Sequence, residues 1–155
     1  AESLYESREI FSLGSPSVLS LHGVNTLLCH GRSLDDVIST VPKMSFQEPD
    51  EAMRFLLQCR HLAPTYGQRT LIASEREDHL VIEKVPDIFH AGHVHVMSYS
   101  NYRGTLVVNS GAWQRQTEYQ REMGHTPNPG VMPVVDLQNL QVIPMSFVPT
   151  PVSGV

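Results

Sequence analysis

The sequence predicts an α/β (α+β) fold built on a sheet of mixed direction. Short apolar runs with the length of strands alternate along the chain with two segments of helical periodicity, which indicates one sheet flanked by helices. Of the 155 residues, 41% are hydrophobic and 17% are charged, a composition typical of globular proteins. This length is enough for one domain with a core. We therefore expect residues 1–155 to form a single domain.

The first strands are expected near the start of the chain. The runs 17–22 (SVLSLH) and 25–30 (NTLLCH) are joined by Gly23 and Val24, and this arrangement predicts a β-hairpin. The second run is almost entirely apolar, as a strand buried on both faces would be.

Two segments predict helices. Residues 34–41 follow Ser33, and Asp36 three positions later approximates a capping box, with Asp35 adding negative charge to the first turn. Residues 49–62 begin with a proline that suits the first turn of a helix. Their apolar side chains form one stripe that we expect to pack on the core: Ala52, Phe55, Leu56, Cys59 and Leu62.

The middle of the chain is expected to alternate between loops and strands. Residues 63–79 are polar and predict an ordered loop, while 80–85 fit either a short strand or part of that loop. DIFHAGHVHV (87–96) is strand-like, 98–104 (SYSNYRG) predicts turns, and 105–113 (TLVVNSGAW) predicts a buried strand.

The last third is expected to be simpler. Residues 114–124 are polar and predict a helical turn or a loop. Residues 133–137 and 141–148 predict a pair of strands joined by a short turn, and the tail 149–155 is expected to be frayed.

Composition excludes several classes of protein. The net charge of −5 and the pI near 5.9 give no general basic surface, so nucleic-acid binding would need a local patch or a partner's charge. The sequence contains no run of about 18 apolar residues, so no membrane span is predicted. The first ten residues do not resemble a secretory signal. Cys29 and Cys59 are too few for a disulfide framework, which favours reduced thiols in the cytoplasm. The absence of an initial Met indicates a processed or shortened chain.

Three histidines stand where strands are expected to end. His93 and His95 are separated by Val94, so in an extended chain both imidazoles project from one face while Val94 packs on the other. Gly92 would allow the backbone to turn just ahead of them. His30 ends another apolar run, and ligand groups in open α/β sheets gather beyond the carboxyl ends of strands. The three histidines are therefore expected to converge.

The histidines alone leave the kind of site open. An HxH pair in a strand is more often structural than metal-binding, and the third histidine makes the two interpretations about equal. Imidazole binds zinc, iron, manganese and nickel, so it does not identify the metal. A two-metal hydrolytic site also needs a bridging carboxylate. Asp35 and Asp36 are better explained by helix capping, and Asp87 precedes its strand at the end opposite His93. The histidines are therefore a partial ligand set.

Two segments taken together resemble a known family. NTLLCHGRSLDDVI and DIFHAGHVHVMSYSNYRGTLVVNSGAWQRQTEYQ are similar to the calcineurin-like metallophosphoesterase domain of the small subunit of archaeal family D DNA polymerase, over residues 10–148. RHLAPTYGQRT and VPDIFHAGHVHV are more specific to that subunit than a bare GHxH. The resemblance implies a four-layer β-sandwich with flanking helices. It also implies two divalent metal ions, Mn²⁺ in the first place and Fe or Zn as alternatives.

The same resemblance assigns the histidines. His30 corresponds to the isolated histidine of the superfamily and His93 and His95 to its GHxH pair, so that His30 and His93 would hold one ion and His95 the other. The DxH, GD and GNH motifs do not occur in the sequence and are expected upstream of residue 1. The bridging carboxylate and the group that protonates the leaving group would lie there, so the chain is expected to be the C-terminal half of the domain. No catalytic residue is assigned within it.

The function implied is a proofreading 3′→5′ exonuclease. Its partners would be the large catalytic polymerase subunit and the single-stranded 3′ end of DNA, with no membrane involved. We expect the chain alone to be inactive and, because a half-sandwich exposes apolar strand surface, to be able to self-associate. The alternative is a non-catalytic scaffold that binds the large subunit. A phosphoesterase of small molecules is a third interpretation, against which RHLAPTYGQRT argues.

Three residues are candidate contacts to DNA. Arg32 follows the expected metal site and could hold a phosphate oxygen, or could instead pair with Asp35 or Asp36. In the loop 64–70, Arg69 could contact DNA by charge and Tyr66 by stacking. Packing of that loop on the surface is the somewhat stronger alternative for both.

The remaining polar and aromatic residues receive weaker assignments. Asn109 and Ser110 end a buried strand and are expected either near the site or supporting its ligands. Trp113 is expected in the core, with a subunit interface as the alternative. Five further histidines show no partner spacing and are taken as structural or solvated: His22, His61, His79, His90 and His125.

Overall fold

A computed structural model of the chain describes residues 10–148. Residues 1–9 and 149–155 lie outside the described residues. The expectation that the N-terminus carries no secretory signal and the expectation that the tail is frayed concern these two segments. The strands are β1 (Ser17–Leu21), β2 (Val24–Leu28), β3 (Ile88–Ala91), β4 (Ser98–Tyr102), β5 (Thr105–Asn109), β6 (Val131–Asp136) and β7 (Gln141–Ser146). The helices are α1 (Leu34–Thr40), α2 (Pro49–Cys59) and α3 (Glu118–Glu122).

Five strands form one sheet of mixed direction, in the order β1-β2-β3-β5-β4. The three central strands are parallel, and β1 and β4 pair antiparallel at the edges. The predicted α/β class with a mixed sheet is confirmed. Leu28 lies opposite His90, and Ala91 lies opposite Asn109, so the carboxyl ends of the three parallel strands meet at one edge of the sheet.

The two faces of this sheet are covered by different elements. Phe89, Ala91 and Val107 pack in the main core with side chains of α1 and α2. Their neighbours Ile88 and Val108 point to the opposite face, because side chains alternate along a strand. There the antiparallel pair β6–β7 contributes partly buried apolar side chains, among them Val135 and Val142. The second face is thus partly covered by a hairpin from the same chain.

The outer face of the β6–β7 hairpin carries apolar side chains. Met132 pairs with Met145 and Val134 with Ile143, so the four side chains lie on one face, and all four are exposed. Self-association of the chain stays a prediction.

Two turns differ from the sequence expectation. His22 and Gly23 have φ of 50° and 89° and form the turn of the first hairpin, one residue earlier than predicted. Residues 98–102 were expected to turn but form the edge strand β4, and the turn is confined to Arg103 and Gly104. The error arose because serine and asparagine at an exposed sheet edge hide the alternation typical of strands.

The helices begin where predicted, but their ends and caps differ. The Ser33 side chain does not cap α1 and instead donates a hydrogen bond to the Leu62 carbonyl, so the predicted capping box is wrong. Helix α2 ends three residues early, because Arg60 adopts a left-handed conformation with φ of 56° and its N–H bonds to the carbonyls of Leu56 and Leu57. In the predicted apolar stripe, Cys59 is exposed.

Several smaller expectations have clear outcomes. Residues 80–85 form no strand, and Val81 makes only an isolated bridge to His61. Trp113 is not in the core, because its side chain is exposed. Its ring lies beside that of Phe147, with the ring centroids 5.4 Å apart. Cys29 is a free thiol whose pKa is raised to about 11 by burial. Between Ile10 and Val148, no helix combines the length and the apolar character needed to cross a membrane.

Candidate metal centre

His30 and His93 lie side by side at the carboxyl edge of the sheet. Each follows the end of its strand, β2 or β3, by two residues. The His30 carbonyl accepts hydrogen bonds from the His93 N–H at 2.9 Å and the Gly92 N–H at 3.3 Å. The two histidines are therefore joined through the backbone, and the predicted convergence holds for this pair.

The two imidazoles face each other through single nitrogen atoms. His93 Nδ1 lies 3.0 Å from His30 Nε2, and the rings are edge-on with centroids 4.8 Å apart. Two nitrogen ligands bound about 2.1 Å from one ion at an angle of about 90–109° stand about 3.0–3.4 Å apart. The separation thus fits two ligands of the same ion.

Glycine is required at position 31, where the segment after β2 packs against the end of β3. Gly31 has a φ of +91°, and an added Cβ would lie 3.0 Å from the Ala91 Cβ and 3.1 Å from the Leu34 Cδ1. The chain bends over residues 93–96, directly after Gly92, as expected, although Gly92 itself does not adopt the left-handed conformation. A Cβ at Gly92 would instead meet the Ser110 Oγ at 3.0 Å.

Asp35 belongs to this centre and not to a helix cap. Its Oδ2 lies 3.0 Å from His93 Nε2, and both side chains are about one quarter exposed, at 27% for Asp35 and 26% for His93. Capping fails as an explanation because no side chain caps α1. The carboxylate contacts Nε2 of the His93 ring, whereas His30 faces Nδ1, so Asp35 and His30 lie at different nitrogen atoms of His93.

His95 lies on an irregular segment and not on a strand. Strand β3 ends at Ala91, although Val94 and Val96 are buried and His95 is half-buried, so the predicted alternation survives without the strand. The side chain of Asn109 replaces the missing strand partner. Its Nδ2 donates to the carbonyls of Val94 at 2.6 Å and Val96 at 2.7 Å.

Gln120, which is not among the predicted site residues, contacts the His95 ring. Its Oε1 accepts the Thr117 N–H at 3.0 Å, which turns its Nε2 toward His95 Nδ1 at 2.9 Å. Since an amide nitrogen donates, His95 Nδ1 accepts and the ring proton is on Nε2. Metal binding through either nitrogen of His95 then requires the Gln120 amide to withdraw, because an ion at Nε2 would shift the ring proton to Nδ1, where it would face the amide donor. The sequence does contain a pattern that indicates where Gln120 lies, because Thr117 and Gln120 have the spacing of a capping box, and they form one at the start of α3.

A cleft of about 360 Å³ lies beside these histidines. His93, His95 and Arg69 line it, together with Asp35. Tyr66 is 90% exposed and does not line this cleft. Of the two loop residues predicted to contact DNA, Arg69 is thus the one placed beside the histidines.

Asp36 anchors the loop that carries Arg69. Its side chain is buried, and its two oxygens accept the N–H groups of Arg69 at 3.0 Å and Thr70 at 2.9 Å. Burial alone would raise the pKa of Asp36, but hydrogen bonds from Thr70 and Arg69 outweigh it and hold the pKa below its ordinary value of 3.8. The predicted capping role is wrong here too, because this carboxylate faces the loop.

Replacing Asp36 by asparagine is expected to lower the free energy of unfolding by about 1–3 kcal/mol at neutral pH, because an amide cannot accept two N–H donors through both of its terminal atoms. Since the folded pKa lies below 3.8, the ionised group contributes fully at neutral pH, and its contribution is lost as the pH falls through that lowered pKa. Urea unfolding of both proteins at several pH values measures this. Glu75→Gln, which removes an exposed charge from the same loop, is the control. A difference that stays constant into acid would contradict the prediction.

The other predicted residues have defined positions. Arg32 is exposed, and within residues 10–148 it makes no ion pair with Asp35 or Asp36. Burial lowers the pKa of His30, and the neighbouring charges of His93 and Arg32 act in the same direction. Ser110 Oγ donates to the Ala91 carbonyl at 3.3 Å.

Of the remaining histidines, His125 lines the same cleft as His93 and His95, whereas His61 and His90 do not line it. His61 Nε2 lies 2.9 Å from Asp78 Oδ2, His125 stacks on Phe46 with centroids 4.0 Å apart, and burial lowers the pKa of His90. In the part of the chain that the structure describes, no group of three or more His, Cys, Asp or Glu side chains is arranged to hold a metal ion. His30 and His93 fit one ion as a pair, whereas His95 is engaged by Gln120. The metal assignments therefore stay predictions.

No protein-family model matches the chain, but similar curated proteins share one name. The chain is 49% identical over 123 residues to the DNA polymerase II small subunit of Archaeoglobus fulgidus, an alignment covering 79% of this chain and 25% of that protein. It is 47% identical over 146 residues to the protein of that name from Methanothermobacter thermautotrophicus, with 94% of this chain and 30% of the relative covered. For the Pyrococcus horikoshii protein the identity is 45% over 143 residues, with 92% and 23% covered.

The chain spans less than a third of the length of each of these relatives. The resemblance to an archaeal polymerase small subunit is confirmed by several proteins from different archaea. Over most of its length, the chain is thus similar to one part of the DNA polymerase II small subunits of several archaea.

Proposed function

We propose that the protein containing this chain is a metal-dependent 3′→5′ exonuclease that removes nucleotides from the single-stranded 3′ end of DNA during replication. The observation that carries this proposal is the 3.0 Å separation of His30 Nε2 and His93 Nδ1, the distance expected of two ligands of one ion. The relatives carry the name of a DNA polymerase small subunit, which supports a phosphodiester substrate and a large polymerase subunit as partner in the cytoplasm.

Two divalent ions fit this proposal, with Mn²⁺ in the first place and Fe or Zn as alternatives. His30 and His93 would hold one ion and His95 the other. Bound ions of this kind supply Lewis acidity toward a phosphodiester. The bridging carboxylate and the proton donor are not assigned to residues of this chain, and the resemblance attributes them to motifs outside it.

Residues of the chain can also orient the DNA. Arg69 lines the cleft beside His93 and His95, and its guanidinium can bind a phosphate through two parallel hydrogen bonds. Arg32 is exposed two residues after His30 and can serve the same purpose. The exposed Tyr66 ring offers a surface on which an unpaired base can stack.

The test compares the full-length protein, bound to its large subunit, with the 155-residue chain on 3′-labelled single-stranded DNA. With Mn²⁺ we expect the complex to shorten the DNA from its 3′ end, and with EDTA we expect no shortening. The chain alone is expected to be inactive. Degradation that persists in EDTA would contradict the metal-dependent mechanism, and brisk degradation by the chain alone would contradict the need for ligands outside it.

One observation favours a second function, a non-catalytic scaffold that binds the large subunit. The Gln120 amide occupies His95 Nδ1, the nitrogen that carries the free lone pair of that ring. If this contact is permanent, His95 holds no ion and the centre is structural. The effect of replacing His95 separates the two functions.

A further inference from the structure

We propose that Asp35 is a positioning residue that fixes the tautomer of His93 and thereby strengthens binding of a divalent cation between His93 and His30. This inference rests on the proposed function, because it concerns the same centre. The observation behind it is the hydrogen bond of 3.0 Å between Asp35 Oδ2 and His93 Nε2.

The chemistry of the carboxylate determines where the His93 proton lies. An ionised carboxylate only accepts hydrogen bonds, so His93 Nε2 must carry the proton. In a neutral imidazole the other nitrogen then keeps its lone pair. That nitrogen, Nδ1, is the one that faces His30 Nε2 at 3.0 Å. Asp35 thus presents the lone pair of His93 toward the point at which a cation would be shared.

His30 lacks a comparable support. Within the described part of the chain, its ring makes one hydrogen bond, to His93. Because His93 Nδ1 accepts, His30 Nε2 must donate, so the proton of a neutral His30 ring lies on the nitrogen that a cation would need. His30 must therefore change tautomer to bind, whereas His93 need not. The two ligands are unequal, and His93 is the one already in its binding form.

Packing fixes the position of Asp35. Leu34 and Val37 on either side of it in α1 are fully buried, and the Asp35 N–H donates to the Arg32 carbonyl at 3.3 Å. His93 is held on its other side by its N–H bond to the His30 carbonyl. The carboxylate and the ring are thus held independently, as expected for a support that orients a metal ligand.

The experiment measures Mn²⁺ binding to the metal-stripped full-length protein by isothermal titration calorimetry. Asp35→Ala is expected to weaken binding about 10–100-fold, the usual effect of removing such a support. Asp35→Asn keeps an oxygen that accepts from His93 Nε2 and should weaken binding less. The matched control is Asp78→Ala, which removes the carboxylate from the His61–Asp78 pair of similar geometry.

A spectroscopic measurement reports the tautomer directly. In long-range ¹⁵N–¹H correlation spectra of the 155-residue chain, we expect His93 to be protonated at Nε2 and the Asp35→Ala variant to show a mixture of tautomers. Unchanged affinity and an unchanged His93 signal in that variant would overturn the inference. If His93→Ala leaves Mn²⁺ binding intact, the proposed metal centre itself is wrong. If His93→Ala abolishes binding but Asp35→Ala changes nothing, only the positioning role of Asp35 is wrong.

Discussion

Replacing His95 by alanine is expected to lower cleavage of single-stranded DNA by the full-length protein about a thousandfold or more. The loss of one ion that stabilises charge on the phosphate removes several kcal/mol of transition-state stabilisation, and each 1.4 kcal/mol is about a factor of ten. Of the three predicted ligands, His95 is the one expected to hold its ion without help from the other two, so its loss should empty that position.

The variant should remain folded. The His95 ring is half-buried and its ring hydrogen bond is to Gln120, whereas the path of the backbone is held by Asn109 through the carbonyls of Val94 and Val96. Binding to the large subunit is therefore expected to be unchanged. Single-turnover cleavage measures the rate, and co-purification with the large subunit measures assembly. His61→Ala, which changes a histidine outside the cleft, is the control.

The outcome separates the two proposed functions. A thousandfold loss of cleavage with intact assembly favours the exonuclease, because a structural histidine would not affect the rate so selectively. Cleavage that persists at the level of the His61→Ala control would favour the scaffold. In that case the bond between Gln120 and His95 would be a permanent part of the fold.

The position of the histidines was predictable from the sequence because it follows from strand order. His30 and His93 each stand just beyond an apolar run, and parallel strands bring their carboxyl ends to one edge. The same reasoning placed Asp87 at the opposite end. There its Oδ2 accepts the Asn25 N–H at 2.8 Å.

The carboxylates were not predictable, because local and distant partners compete for them. Asp35 and Asp36 stand in the first turn of a helix, where capping is the usual role. Their actual partners are His93, 58 positions away, and the backbone of Arg69 and Thr70, 33 and 34 positions away. Sequence spacing contains no information about contacts of this kind. Which of two adjacent carboxylates supports the histidine follows only from the packing of α1.

Replacing Asn109 by aspartate is expected to lower the free energy of unfolding by about 3–5 kcal/mol, the largest effect we expect on stability. The side chain is completely buried, and its Nδ2 donates to two carbonyls. Aspartate has nearly the same shape, but its ionised form donates nothing. Two buried carbonyls would lose their partner, at about 1–3 kcal/mol each, and a negative charge would face them.

The effect should depend on pH in a definite direction. A buried carboxyl without a positive partner is more easily protonated than an exposed one, and the protonated form can donate one hydrogen bond. The variant is therefore expected to be less destabilised in mild acid than at neutral pH. Urea unfolding of the 155-residue chain at both pH values measures this. Asn101→Asp is the matched control, because Asn101 is exposed and its Oδ1 only accepts, from the Gly104 N–H at 3.1 Å.

The same substitution tests how the centre is held. If the Asn109 amide supports residues 94–96, its replacement frees the backbone between His93 and His95. Cleavage by the full-length protein bound to its large subunit should then fall even at temperatures where the variant is folded. A variant that unfolds at the same urea concentration as Asn101→Asp would show that the two carbonyls do not need this donor. The irregular segment after β3 would then be held by the packing of Val94 and Val96 alone, and Asn109 would have no part in the geometry of the centre.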